Sequence, residues 1–187
     1  ETENIMEKFN VGIIGATGMV GQRFITILAS HPWFNIVALA ASSRSAGKTY
    51  EEAIGSRWVM DAPIPEFIKK MLVYDAEADA EKMAQQVEVV FCAVDMKKDE
   101  IRALEEKYAR LEVAVISNNS AHRSTPDVPM IIPELNADHS EVITAQKKRL
   151  GTKRGFIAVK SNCSLQSYVP ALFPLTKFGI TNVLACT

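Results

Sequence analysis

Residues 87–94 read VEVVFCAV, an apolar run broken only at Glu88. A strand with one wet face would alternate apolar and polar residues, so this run fits a strand covered on both faces. Comparable runs are FNVGIIG (9–15), NIVALAASS (35–43), EVAVISN (112–118) and GFIAVKS (155–161), with shorter strand-like pieces in KMLVYD and PMIIPELN (129–136). Helix-like segments separate them: MVGQRFITILASH (19–31), with Val20, Phe24, Ile27 and Leu28 at helical spacing, then residues 76–86, the charged stretch 99–110, and 139–148. Residues 48–68 contain Pro63 and Pro65 and read as a loop with short helical pieces. This alternation predicts an α/β fold of Rossmann type, a doubly wound and mostly parallel sheet flanked by helices. Right-handed crossovers then bring the C-terminal ends of the strands to one edge.

With 187 residues, 48% of them hydrophobic, the chain can bury a large core. That length suits one large domain, or one domain and part of another. A net charge of −1, with Lys and Arg spread along the chain, gives no sign of a nucleic-acid footprint or an anionic-membrane surface. No apolar run approaches the ~18–20 residues of a membrane span. The start, ETENIMEKFN, is acidic rather than signal-like, and Met6 reads as a natural start preceded by an expression remnant. Three cysteines, an odd number without metal spacing, indicate a reducing cytoplasm and no metal site.

The first strand runs directly into Gly15-Ala16-Thr17-Gly18-Met19-Val20-Gly21. Glycines at this spacing allow a tight turn and close approach of backbone N–H groups to phosphate, and the helix that opens near Met19 adds its positive end. The competing reading is a tight strand–helix turn without a ligand. NAD-specific sites carry an acid about 20 residues further on, for the ribose 2′-hydroxyl. Here no carboxylate lies between Asn35 and Tyr50; instead Ser42, Ser43, Arg44, Ser45 and Lys48 occupy that segment. Hydroxyls and a guanidinium suit a 2′-phosphate, so the loop points to NADP rather than NAD. A solvated basic loop is the plainer alternative.

Cys92 (in VVFCAV) and Cys186 (in VLACT) read as buried small hydrophobes. Cys163 differs, because it stands where GFIAVKS ends and the helix-like LQSYVPALFPL begins. A helix N-terminus favours a thiolate and makes a usable nucleophile. Ser164 is expected to help cap that helix, and Pro170 to kink or break it. After the fifth strand, SNNSAHR offers Asn118, Asn119, Ser120 and Arg123 as anion-binding donors. His122 reads as a surface or positioning residue, and His31 and His139 as structural. A nicotinamide cofactor and a cysteine on one sheet edge suggest an aldehyde-level oxidoreductase, with Arg123 and Asn162 holding a carboxylate or phosphate. A non-catalytic NADP-binding module is the alternative of another class.

In order, VGIIGATGMVGQ, ASSRSAGK, SNNSAHR, VPMIIPELN and SNCS resemble the aspartate-semialdehyde dehydrogenases, most closely their archaeal/fungal-type branch, from residue 9 to nearly the end. Malonyl-CoA reductases and N-acetyl-glutamyl-phosphate reductases are rivals within the fold. The resemblance implies NADPH-dependent reductive dephosphorylation of L-4-aspartyl phosphate to aspartate semialdehyde, a step toward lysine, methionine and threonine. Carried over by motif, Cys163 is the nucleophile, and Arg123 and Asn162 hold substrate phosphate. Residues 15–21 hold the pyrophosphate, Ser42, Arg44, Ser45 and Lys48 the 2′-phosphate end, and Ala93 and Val94 the nicotinamide side. Family members are much longer chains and assemble as homodimers or homotetramers. The expected organisation is therefore a flexible N-terminus (1–8), an NADP-binding domain (9–162), and the start of a truncated α+β catalytic and dimerisation domain (163–187). The acid–base histidine would then lie beyond Thr187, leaving this piece able to bind NADP(H) with little or no turnover. SNCSL stands where many members have NPNCST. The apolar tail ITNVLACT is expected to be a strand without its sheet.

Overall fold

The computed structural model describes residues 7–186, so Met6 and most of the expected N-terminal tail lie outside the described residues. Its elements, in chain order, are β1 (Phe9–Ile14), α1 (Met19–Leu28), β2 (Phe34–Ala41), α2 (Tyr50–Ile54), α3 (Glu66–Lys69), β3 (Val73–Asp75), α4 (Ala80–Ala84), β4 (Val89–Cys92), α5 (Lys98–Arg110), β5 (Ala114–Ser117), β6 (Met130–Ile131), α6 (Pro133–Asn136), α7 (Ile143–Leu150), β7 (Phe156–Lys160) and α8 (Cys163–Leu172). Short 3-10 turns follow α2, α6 and α8. The strands form one seven-stranded sheet in the order β3-β2-β1-β4-β5-β7-β6. Every pairing is parallel, so all C-terminal ends share one edge. The order reverses between β1 and β4, the switch point where doubly wound sheets bind ligands.

Alternate residues of the central strands enter two separate cores, which is why their sequences lack polar alternation. Ala38, Ala40, Val90 and Cys92 face one side, with Met83 of α4, Leu104 and Tyr108 of α5, and Leu150 of α7. Val11, Ile13 and Leu39 face the other, with Ile25 and Leu28 of α1, Tyr50 and Ile54 of α2, and Ile68 of α3. At the short strand β6 the sheet runs out of partners, and a side chain takes over. Gln146 of α7, fully buried, donates from Nε2 to the Ile157 carbonyl at 2.9 Å and accepts from the Ile157 N–H at 2.6 Å.

Several segments depart from their sequence expectation. PMIIPELN is a strand only over Met130–Ile131, because Pro133 starts α6 in its first turn. Residues 76–79 form a turn rather than helix, because Asp75 Oδ1 accepts from the N–H groups of Glu77 and Ala78. The 139–148 helix is shifted, with 3-10 geometry to Val142 and α7 from Ile143. Helix α8 continues through Pro170 and buries none of its side chains. Beyond it, residues 180–186 carry no strand, and Leu184 is 95% exposed. Cys186, expected to be buried, is exposed because no described element packs over that run. Among the described residues no helix is long and apolar enough to cross a membrane.

Glu112, at the exit of α5, clips this helix to the entrance of β7. Its carboxylate accepts from the N–H groups of Lys153, Arg154 and Gly155, and its backbone is held at φ 65°. Those hydrogen bonds, that from Lys153 foremost, lower its pKa from 4.5 to about 2. A depressed carboxylate pKa stabilises the fold above the ordinary value and loses that contribution as pH falls through the folded value. Glu112→Gln is therefore expected to lower the urea midpoint at neutral pH, with the gap to the parent closing between pH 4.5 and about 2. A gap independent of pH would show that the charge plays no part.

Candidate dinucleotide cavity and cysteine turn

The chain leaves β1 through Gly15, at φ +86°, a conformation L side chains rarely adopt. A Cβ there would also overlap the Ala93 carbonyl oxygen, so the end of β4 closes directly onto the glycine turn. Gly18 donates to the Gly15 carbonyl at 3.0 Å and becomes the N-cap of α1. No side chain caps this ten-residue helix and no acid lies in its first turn. Its N-terminal N–H groups and positive dipole end therefore suit an anion.

Above this turn lies a cavity of about 450 Å³. Gly15, Thr17 and Gly18 line it from β1, Ser42, Ser43 and Arg44 from β2, Asp75 and Glu77 from β3, and Ala93, Val94 and Asp95 from β4. The fold thus gathers most of the expected cofactor residues in one place. The remainder do not line this cavity. Ala16 and Gly21 are buried under the turn, and Ser45 is buried at the foot of its loop. Lys48 is exposed, and Met19 and Val20 border a separate depression with Arg23 and Val59. Asp75, Glu77 and Asp95 escaped the sequence reading, although Asp75 ends a strand, and Glu77 and Asp95 follow one, on the edge that carries the glycine turn.

Cys163 is the first residue of α8, on the same edge, and is exposed. Its cap is Asn162 rather than Ser164: Asn162 Oδ1 accepts from the Ser164 N–H at 2.9 Å, since a capping side chain must precede the helix. The Cys163 Sγ lies 4.0 Å from the same oxygen. Arg123 ties this turn to the loop after β5, donating from Nε to the Lys160 carbonyl at 3.1 Å and from Nη2 to the Asn118 carbonyl at 3.4 Å. Since β5 alone separates β4 from β7, the two strand ends are about 10 Å apart.

Beneath that loop lies a buried polar cluster. Glu105 Oε1 accepts from Ser117 Oγ at 2.5 Å and from Asn119 Nδ2 at 2.9 Å. Its Oε2 faces His122 Nε2 at 4.0 Å, and neither atom has a hydrogen-bond partner among the described residues. His122, at 1% exposure, is not the surface residue its neighbour Arg123 suggested. Burial lowers its pKa, with the Glu105 and Glu106 charges opposing the shift. Burial, reinforced by Glu105, raises the pKa of the Cys92 thiol well above its ordinary value, consistent with an inert core cysteine.

Residues 10–143 match the family described as "Semialdehyde dehydrogenase, NAD binding domain". The chain is similar to the aspartate-semialdehyde dehydrogenase of Methanothermobacter thermautotrophicus, 43% identical over 166 residues, covering 89% of this chain and 45% of the relative. That of Archaeoglobus fulgidus is 40% identical over 179 residues, covering 94% and 49%. Among solved structures, aspartate semialdehyde dehydrogenase with NADP from Candida albicans superposes with a TM-score of 0.79 at 36% identity, over 92% of this chain and 48% of that one. The chain thus spans about half the length of the curated relatives it matches. A family match across the glycine turn, the cavity and the Arg123 loop, on a parallel sheet of this order, shows that the chain belongs to the semialdehyde dehydrogenase family, in the region of its NAD-binding domain.

Proposed function

We propose that the chain is the NADP(H)-binding part of an aspartate-semialdehyde dehydrogenase, with residues 9–162 as the cofactor domain and Cys163 opening the catalytic one. The observation that carries this reading is the cavity in which the uncapped start of α1 meets Ser42 and Arg44, on the strand edge that also presents Cys163. The residues fit the cofactor: the glycine turn and α1 suit the pyrophosphate, Arg44 and the serines the 2′-phosphate, and Ala93 and Val94 the nicotinamide side. When bound, the reduced cofactor supplies a hydride.

In this reading Cys163 attacks the acyl carbon of L-4-aspartyl phosphate, the C–O bond to phosphate breaks, and a thioester forms as phosphate leaves. Arg123 and Asn162 hold that phosphate. With a hydride supplied at its carbonyl carbon, the thioester would become a thiohemiacetal oxyanion held on Cys163 Sγ. Its collapse breaks the C–S bond and releases aspartate semialdehyde and the Cys163 thiolate. The relatives' name, aspartate-semialdehyde dehydrogenase, supports the semialdehyde as the compound at the other end of this step. A homodimeric or homotetrameric enzyme of the cytoplasm completes the reading.

Fluorescence titration with NADPH and NADH, followed by iodoacetamide mapping, tests it. NADPH is expected to bind the tighter, with Arg44→Ala weakening it about tenfold, roughly 1.4 kcal/mol, and NADH by less than about twofold. Cys163 is expected to alkylate well before the buried Cys92. If neither nucleotide binds, the reading is wrong; if NADPH binds but Cys163 stays inert, the chain is a binding module.

A further inference from the structure

Strands β2 and β3 leave the sheet side by side, with Ala41 opposite Asp75 in register and the Ala76 N–H donating to the Ala41 carbonyl at 3.0 Å. Adjacent strands lie about 4.8 Å apart, so the 42–44 loop and the 75–77 turn form neighbouring walls at one end of the cavity. These walls carry opposite charges: Arg44 on one, Asp75 and Glu77 on the other. The Asp75 carboxylate is already committed to its own turn, accepting from the N–H groups of Glu77 and Ala78 at 2.9 and 2.8 Å. Glu77 is placed differently. Its main chain is fixed on both sides, by that bond from its N–H and by Lys107 Nζ donating to its carbonyl at 2.8 Å. Glu77 is exposed, belongs to the cavity lining and makes no ion pair among the described residues. A rigid backbone thus holds a carboxylate one strand away from the guanidinium that suits a 2′-phosphate.

Building on the NADP reading above, we propose that Glu77 is a specificity-determining residue that opposes the cofactor's 2′-phosphate. Cofactor choice is then a balance: Arg44 attracts the phosphate dianion, Glu77 repels it, and a 2′-hydroxyl in its place meets no such repulsion. The acid that NAD-specific folds place after β2 is absent here, and the neighbouring strand end supplies a negative charge instead. The arrangement narrows the gap between NADPH and NADH rather than abolishing the use of either.

The test is direct binding of NADPH and NADH to the chain and to Glu77→Gln and Glu77→Lys, each checked for unchanged thermal unfolding. Glu77→Gln is expected to tighten NADPH about three- to tenfold and Glu77→Lys further, while NADH tightens less than about twofold. Between two weakly screened charges, the gain shrinks as salt rises from about 0.02 to 0.5 M. Unchanged or weaker NADPH binding in both variants overturns the proposal, as does an equal gain for both cofactors. Failure of the unmodified chain to bind either nucleotide refutes the function reading itself, and this inference falls with it.

Discussion

Glu105→Ala is expected to lower the unfolding free energy by about 3–5 kcal/mol. Glu105 is 1% exposed, and one of its oxygens receives both Ser117 Oγ and Asn119 Nδ2. Truncation leaves a buried hydroxyl and a buried amide short of an acceptor, at about 1–3 kcal/mol for each group left unsatisfied. It also removes the carboxylate that lies 4.0 Å from His122 Nε2. Glu105→Gln keeps an acceptor for Ser117 and Asn119 and turns an amide N–H toward His122 Nε2, so its cost is expected to stay under about 2 kcal/mol. Urea unfolding separates the two: equal losses in both variants would mean that only side-chain volume matters here. The effect extends beyond stability, because Ser117 and Asn119 anchor the loop that carries Arg123 to the Cys163 turn.

The sequence signal for Glu105 was present but easily passed over. It lies in the stripe Ile101, Leu104, Glu105, Tyr108, the spacing of the buried face of α5, yet a charged residue in a charged helix reads as solvated. The parallel sheet was far more legible, since burial on both faces leaves its mark on every residue of a strand. Gly15, Gly18 and Cys163 were legible for a different reason: strand-to-helix joints impose residue types locally. What stayed hidden depends on contacts between distant segments. The turn after β3 forms because Asp75 bonds its own following backbone, which shortens α4 to Ala80–Ala84, and Glu77 reaches the cavity only through the pairing of β3 with β2. The exposed Cys186 shows the converse, that an apolar run states a need for cover without providing it.

Gly21→Ala is expected to weaken NADPH binding by at least about tenfold and to destabilise the chain, although alanine is the better helix former. In a helix interior that preference favours alanine by about 1 kcal/mol. A Cβ on Gly21, however, would overlap the Gly15 carbonyl oxygen and lie 2.7 Å from Ala16 Cα, both backbone atoms with no rotamer to yield. Helix α1 must therefore move away from the turn. That movement pulls on Gln22, whose Nε2 donates to the carbonyls of Thr17 and Arg57 and whose Oε1 accepts from the Val59 N–H. It also withdraws Ile25 and Leu28 from the core. Overpacking of this kind costs about 1–3 kcal/mol, enough to outweigh the propensity gain, and it carries the N–H groups of the first turn away from the cavity. Gly18→Ala provides the contrast. Gly18 has φ −76°, and the nearest atom to its Cβ would be the Gly15 carbonyl oxygen at 3.4 Å, so no overlap arises and the expected stability cost is only that of alanine as a poorer N-cap than glycine, about 0.5–1 kcal/mol. Its methyl group would stand at the cavity wall where the phosphates are proposed to lie, weakening NADPH while the urea midpoint falls less than in Gly21→Ala. A Gly21→Ala protein as stable as its parent, with NADPH bound as tightly, would show that the close approach of α1 to the glycine turn has no part in holding the cofactor.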